Sequence, residues 1–523
     1  MPKLSTCAAF LLALFSSSHL SAVEDPNKPE TPNIIVIMAD DMGFGDVSCF
    51  GATELSTPNI DKLAAEGQRF TSGYCSASTC TPTRYSMLTG NYAFRHEGTG
   101  IAPPNGPAAI QPGTETVASI LQRAGYKTAV IGKWHLGLGP RGSKKSVGGP
   151  DWNGELNPGP LEIGFDQCFL LPTTNDRVPQ VYVQNHRVLN LDPNDPLWVG
   201  SKKPSEDHPT GLTHRDTLKM DWSHGHNATI HNGISRIGFY TGGHAARFRD
   251  EDLADKWVEK SNEFIESNKD KPFFLFFSSH DLHVPRIPHE RFQGKTKLGF
   301  RGDSIVQLDW CVGELMKTLK RLELDDNTLV IFCSDNGPVL DDGYKDEAIE
   351  KIGKHRAAGQ YTGGKYSVYE GGTRTPFITR WTGRIQPGVS DKMVCTIDLA
   401  SSLAALTGQS LTDESCTDSL NVLDALMGDP NAKGRDHLVQ QDNGKSGTYG
   451  LRVGEWKLHR YDKKRARNVV VEVELANTPK PRFQLFNLNS DPAEKTDVFA
   501  DNPEIGKRLQ DQLKSIIANG RTR

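Results

Sequence analysis

Cys80-Thr81-Pro82-Thr83-Arg84 continues as Tyr85-Ser86-Met87-Leu88-Thr89-Gly90. Thr79 as a cap and the early proline mark a helix that begins at the cysteine. A side chain at that point faces the unpaired amide hydrogens of the first turn, which favour anions. Arg84, four residues on, lies on the same helix face and can hold both Cys80 and a bound oxyanion. The plainer alternative is a buried free thiol beside a structural arginine. Asp40 with Asp41, and Asp335 with Asn336, add three carboxylates and one amide oxygen. Such hard oxygen ligands suit calcium or magnesium rather than zinc. Taken singly, an aspartate pair reads as a helix cap or a turn.

These residues gain weight from the elements that precede them. Ile34 to Met38 is a short apolar run that leads into Asp40 and Asp41, and Ala129 to Ile131 leads into Lys133 and His135. Phe273 to Phe277 leads toward His280 and His283, and Leu329 to Phe332 leads into Asp335 and Asn336. Each run reads as a buried strand, and together they deliver charged groups at four C-terminal ends. In a mostly parallel sheet those ends line one edge, where ligands bind. Amphipathic stretches at Asn59 to Gly67, Thr116 to Ala124, Leu253 to Asn268 and Ser304 to Leu322 alternate with the strands. The alternation predicts an α/β fold with a doubly wound, mostly parallel sheet flanked by helices.

Residues 139–241 are rich in Gly, Pro, Asn and Asp and predict long loops over the site edge. From about Gly434 the pattern shifts to short strands, such as Gly450 to Leu458 and Phe483 to Asn487, and a closing helix near Pro503 to Ala518. The expected division is a signal peptide over 1–22, a catalytic domain over 23–433 and a C-terminal α+β subdomain over 434–523.

Lys3, the apolar stretch Ala8 to Phe15 and the small residues ending at Ala22 read as a secretory signal cut near Ala22. A periplasmic or secreted protein without a membrane span follows. The 60 basic and 64 acidic residues leave a net charge of -4, so no general basic field recruits nucleic acid. Nine thinly spread cysteines make no disulfide framework, although one or two bridges fit an oxidising compartment.

Cys80 to Gly90 resembles the signature of the type I sulfatases, within the alkaline phosphatase superfamily. A second signature runs from Gly125-Tyr126-Lys127-Thr128 through Gly132-Lys133-Trp134-His135-Leu136-Gly137. Thr83 stands where serine is commoner, while Pro82 and Arg84 are intact. The resemblance implies that Cys80 is oxidised to formylglycine by a formylglycine-generating or radical maturase enzyme. It also implies that Asp40, Asp41, Asp335 and Asn336 hold a calcium ion that touches residue 80 and a sulfate oxygen. One hydroxyl of the hydrated aldehyde would then attack sulfur. Arg84, Lys133 and Lys365 would neutralise the sulfate, and His283 and Lys365 would assist the leaving alcohol. His135 would take the proton of the remaining hydroxyl. His283 is preferred over His280 because the family histidine sits two residues before a proline, here Pro285.

The loop residues Asn175, Asp176 and Arg177, with His244 and Arg247, are candidates for contact with a sugar. The overall pattern is similar to bacterial enzymes that act on sulfated polysaccharides. The expected substrate is a galactose or N-acetylgalactosamine sulfate, from a carrageenan-like galactan or a glycosaminoglycan. The alternatives are a phosphonate or phosphate ester hydrolase of the same superfamily, transfer of sulfate to another alcohol, and a glycan-binding homologue without turnover.

Overall fold

Every residue of the strand Asn33–Ala39 is buried, because apolar side chains on both of its faces need cover on both sides of a sheet. The computed structural model describes residues 31–143, 146–442, 447–462 and 481–523. The expected signal peptide and its cleavage point near Ala22 lie outside these residues.

Asn33–Ala39 sits inside a ten-stranded sheet, parallel to Phe273–Ser278 on one side and to Thr328–Ser334 on the other. Phe273–Ser278 pairs in parallel with Lys127–Lys133, which pairs in parallel with Gln167–Leu171. Antiparallel strands extend both flanks, Ile378–Arg380 beside Thr328–Ser334 and Val183–Gln184 beside Gln167–Leu171. The four strands picked out by sequence are thus adjacent and parallel, and their C-terminal ends share one edge.

Helices cover both faces. The helix Val117–Arg123 starts where Thr116 accepts a hydrogen bond from the Ser119 amide at 3.1 Å. Leu253–Ser267 and Gly299–Arg321 pack on the opposite face, burying Trp257, Phe264, Leu308 and Leu315 against Ile35, Ile37 and Leu275 of the central strands. The second of these begins five residues before the sequence pattern predicted, since Gly299 and Phe300 precede its first clear apolar stripe. Among the described residues no helix is long and apolar enough to cross a membrane. All eight described cysteines are free thiols.

Near the C-terminus, the stretch read as a strand from Gly450 to Leu458 is two strands, Tyr449–Val453 and Trp456–Arg460, joined at Gly454 with φ +57°. They form a four-stranded antiparallel sheet with His437–Gln441 and Phe483–Asn487, against which the helix Pro503–Ala518 buries Leu509 and Leu513. A buried charge network fastens this sheet to the rest. Lys457 Nζ donates to Glu370 Oε1 at 2.8 Å, and Tyr74 donates to Glu370 Oε2 at 2.5 Å. Burial alone would raise the Glu370 carboxyl, but Lys457, Arg374 and Arg452 hold it well below the usual range. Its contribution to stability is therefore complete above the ordinary glutamate pKa and drains away only as pH falls below it.

Replacing Glu370 by glutamine takes from buried Lys457 the nearer of its two carboxylates and leaves it Glu494 at 3.4 Å, while Arg374 loses its carboxylate partner. The substitution should lower the unfolding free energy by about 3–5 kcal/mol. Urea titration followed by circular dichroism measures this, and an unchanged midpoint would deny the network a stabilising role.

Candidate active site

Asp40 and Asp41 leave the central strand, Asp335 and Asn336 leave its neighbour, and the Asp40 amide donates to the Asp281 carbonyl at 2.8 Å. The two aspartate-bearing ends and the histidine-bearing end are thereby stitched together. One carboxylate oxygen each from Asp40, Asp41 and Asp335 lie within 4.8 Å of one another, all fully buried.

Each of these carboxylates has a cationic partner. Arg84 donates to Asp335 through Nε at 2.9 Å, and its NH2 lies 2.8 Å from the same oxygen. Lys133 bonds to Asp40, and Lys365 to Asp41 at 2.9 Å. Arg84 also donates to Ser278 Oγ at 2.5 Å and to the Lys133 carbonyl at 3.2 Å. In this arrangement the guanidinium positions Asp335 and the strand ends, while its buried NH2 makes no hydrogen bond.

Crowding sets the protonation energetics. Burial, reinforced by the neighbouring Asp335, pushes the Asp40 carboxyl well up. Asp335 is held down despite its burial, chiefly by Arg84 and Lys133. Asp40 Oδ1 and Asn336 Oδ1 are buried without a hydrogen-bond partner. Two orphaned oxygens beside three converging carboxylates are the donor set of a hard divalent cation, so the residues fit calcium.

Cys80 opens the fully buried helix Cys80–Thr89. Its Sγ, an Asp40 oxygen and a His283 nitrogen lie within 4.8 Å of one another. Burial pushes the Cys80 thiol up to about 12, against the pull of Lys133 and Lys365. An unmodified cysteine here is a poor nucleophile at neutral pH.

The histidines have definable tautomers. His283 Nδ1 lies 2.7 Å from the Val284 carbonyl, which can only accept, so Nδ1 carries the proton and Nε2 the lone pair. His135 Nε2 lies 3.2 Å from the Ala102 carbonyl, leaving its buried Nδ1 as an acceptor without a partner. Burial first, then Lys133 for His135 and Lys365 for His283, holds both rings well below the usual histidine range. Thr81 donates to the His135 carbonyl at 2.9 Å and joins this loop to the cysteine helix. Gly132 makes the turn after Lys127–Lys133's apolar core possible: its φ is +113°, and a Cβ there would sit 1.9 Å from the Ser278 carbonyl oxygen.

The other sequence candidates divide. Asp176 accepts from Arg177 at 2.9 Å and bonds to His226 at 3.0 Å, and both Asp176 and Arg177 lie close enough to His135 to shift its titration. Asn175 donates to the carbonyls of His283 and Pro285 at 3.3 and 3.0 Å, steadying the histidine loop. His280 accepts from the Trp257 indole at 3.1 Å, and its Nε2 lies 3.7 Å from the Asp281 carboxylate. His244 pairs with Asp195 at 2.8 Å, and Arg247 donates to the Gly242 carbonyl at 2.8 Å over the Tyr240 ring. No bond joins either of them to the cluster.

Sequence reading missed Asp342 and His226. Asp342 accepts from Lys365 at 2.8 Å and from the Tyr366 hydroxyl at 3.0 Å. In sequence, Asp341-Asp342-Gly343 looks like an ordinary turn, and only its position soon after a site-bearing strand hints at more.

The Sulfatase family profile matches residues 32–409. An N-acetylgalactosamine-6-O-sulfatase of Bacteroides thetaiotaomicron is 47% identical over 506 residues, covering 97% of each chain. Human arylsulfatase A is 29% identical over 499 residues, covering 93% of this chain and 88% of its own. A solved structure from work on glycosaminoglycan metabolism by Bacteroides thetaiotaomicron superposes with a TM-score of 0.88 at 46% identity. It covers 94% of this chain and 100% of its own.

Asn336→Ala removes one orphaned oxygen without adding charge. The variant should keep its fold and bind calcium about tenfold or more weakly, by calorimetric titration. Equal affinity in the variant and the parent would remove Asn336 from the cation site.

Proposed function

This chain belongs to the sulfatase family and is a sulfuric ester hydrolase, and we propose that it removes the 6-O-sulfate of an N-acetylgalactosamine residue in a sulfated glycan. The observation that carries the reading is Cys80 at a helix start, its sulfur beside Asp40 and His283 in a buried ring of paired carboxylates and cations. Support for the sugar comes from the 47% identical relative named for that activity, whose length this chain matches.

In this reading Asp40, Asp41, Asp335 and Asn336 would hold calcium. When bound, the ion would supply positive charge to stabilise the anionic ester and activate the nucleophile. Residue 80, converted by a maturing enzyme to formylglycine, supplies in its hydrated form one hydroxyl to attack sulfur and a second whose deprotonation releases sulfate.

The chain's own groups do the rest. Lys133 and Lys365 bring positive charge to the ester oxygens in a water-poor site, where it counts for most. Lys365, held protonated by Asp342 and Asp41 against the effect of burial, is the proton-bearing neighbour of the leaving oxygen. His283 presents its Nε2 to the same region, oriented by the Val284 carbonyl. His135 Nδ1, neutral and unpartnered, is placed to receive the proton from residue 80. Arg84 fixes Asp335 and the strand ends. Asp176 and Arg177, joined to His226, contact the sugar. Transit to the periplasm or out of the cell follows from the signal-like N-terminus.

Protein made alongside a formylglycine-generating enzyme should release sulfate from 6-sulfated N-acetylgalactosamine in preference to the 4-sulfated isomer. Peptide mass spectrometry should find the residue 80 thiol replaced by an aldehyde. Cys80→Ala should cut turnover on the order of 10⁴-fold or more, with the unfolding midpoint retained. Sulfate release from neither isomer by the converted protein would refute the substrate, and a fully active alanine variant would refute the nucleophile.

A further inference from the structure

Trp198 is 42% exposed, one of few large apolar side chains left in water among the described residues. It lies on the short strand Trp198–Gly200, antiparallel to Phe239–Thr241, with Trp198 opposite Thr241 and Gly200 opposite Phe239. Residues directly opposite each other, and those two apart on one strand, share a face. Trp198, Gly200, Phe239 and Thr241 therefore form one face of the ribbon, and Val199 and Tyr240 the other. The second face is turned inward: Tyr240 is buried and Val199 packs on the main core.

The outward face is shaped. A Cβ at position 200 would come within 2.6 Å of Trp198 Cη2 and Cζ2, so the indole lies across the glycine, whose cross-strand partner is half-buried Phe239. His208 meets Phe239 edge-on at 6.0 Å and is anchored by a 2.8 Å hydrogen bond with Thr229 Oγ1. The face thus carries an exposed indole, a half-buried phenyl ring and, against that ring, an imidazole. Its order comes from a missing side chain beneath the ring, and Trp gives large contact area at low conformational cost.

Two stretches of backbone connect this surface to the active site. The Ile237 amide donates to the Asp176 carbonyl at 2.8 Å, and the Val178 amide donates to the Ile237 carbonyl at 3.2 Å. Phe239 thus stands two residues, at most about 7 Å of chain, beyond Ile237, where that segment bonds to Asp176 and Val178. On the other route, Ala102 accepts from His135, while Asn105, three residues later, donates to the Val199 carbonyl at 3.0 Å.

We propose that the Trp198–Phe239 face is a second carbohydrate subsite, which stacks a sugar ring of the chain beyond the residue that loses its sulfate. The occupant is an amino-sugar oligosaccharide, because a pyranose offers a flat apolar C–H face to the indole and hydroxyls to His208. The proposal rests on the glycan reading above and adds that the enzyme grips a polymer, beyond a single sugar.

The test is calorimetric binding to the Cys80→Ala protein, which cannot turn substrate over. The probes are a chondroitin 6-sulfate hexasaccharide and 6-sulfated N-acetylgalactosamine. Trp198→Ala should weaken the hexasaccharide about tenfold relative to the single sugar. Trp198→Phe should restore most of that preference, with unfolding midpoints equal throughout. An unaltered hexasaccharide-to-monosaccharide ratio in Trp198→Ala would overturn the subsite. Failure of the substrate reading has a different signature: the converted, catalytically intact protein would release sulfate from neither sugar, whatever Trp198 does to binding.

Discussion

Three buried carboxylates, on Asp40, Asp41 and Asp335, converge within 4.8 Å, and the remainder of the site answers that concentration of charge. Like charges so close in a poorly polarisable interior repel strongly, and burial adds to the cost of keeping each ionised. The fold offsets this with one cation apiece: Lys133 for Asp40, Lys365 for Asp41 and Arg84 for Asp335. The balance remains incomplete at Asp40 Oδ1 and Asn336 Oδ1, and those atoms are where a divalent ion gains most. With such an ion in place, an anionic ester would meet an excess of positive charge that the protein alone does not have.

Such crowding persists only if the backbone cannot relax away from it. Asp41, His135 and Tyr366 all occupy positive φ, at 59°, 52° and 74°, a region that non-glycine residues rarely adopt. Close backbone approach also fixes the loops around them. A Cβ at Gly337 would fall 1.8 Å from the Gly371 carbonyl oxygen, which locks the end of Thr328–Ser334 against the loop that follows Lys365. Positive φ and like-charge proximity coincide at Asp41, held by a sheet whose parallel order brings four strand ends to one edge.

Much of this was legible in the sequence, because the chemistry sits immediately after unmistakable apolar strands. Cys80, Lys133, His135, His283 and the oxygen ligands each follow a helix or strand signal by a residue or a few, so their positions inherit the certainty of the element. The residues that escaped notice lie in loops. Asp342 belongs to an acidic turn, and His226 to a polar stretch, where local pattern says nothing about which long-range partner is met. His244 and Arg247 came from that same kind of segment and proved to be bonded to Asp195 and Gly242. Trp198 stands there too: its exposure depends on which face of a two-stranded ribbon turns inward, a matter of tertiary packing.

If compensation of the three carboxylates is the organising constraint, a cation must sit where the oxygens are unsatisfied. A crystal structure of the protein grown with calcium, with the ion located by anomalous scattering, tests this most directly. One ion should be found bonded to Asp40, Asp41, Asp335 and Asn336, next to residue 80. A structure whose cluster takes up no ion at saturating calcium, or that binds calcium only elsewhere, would contradict it.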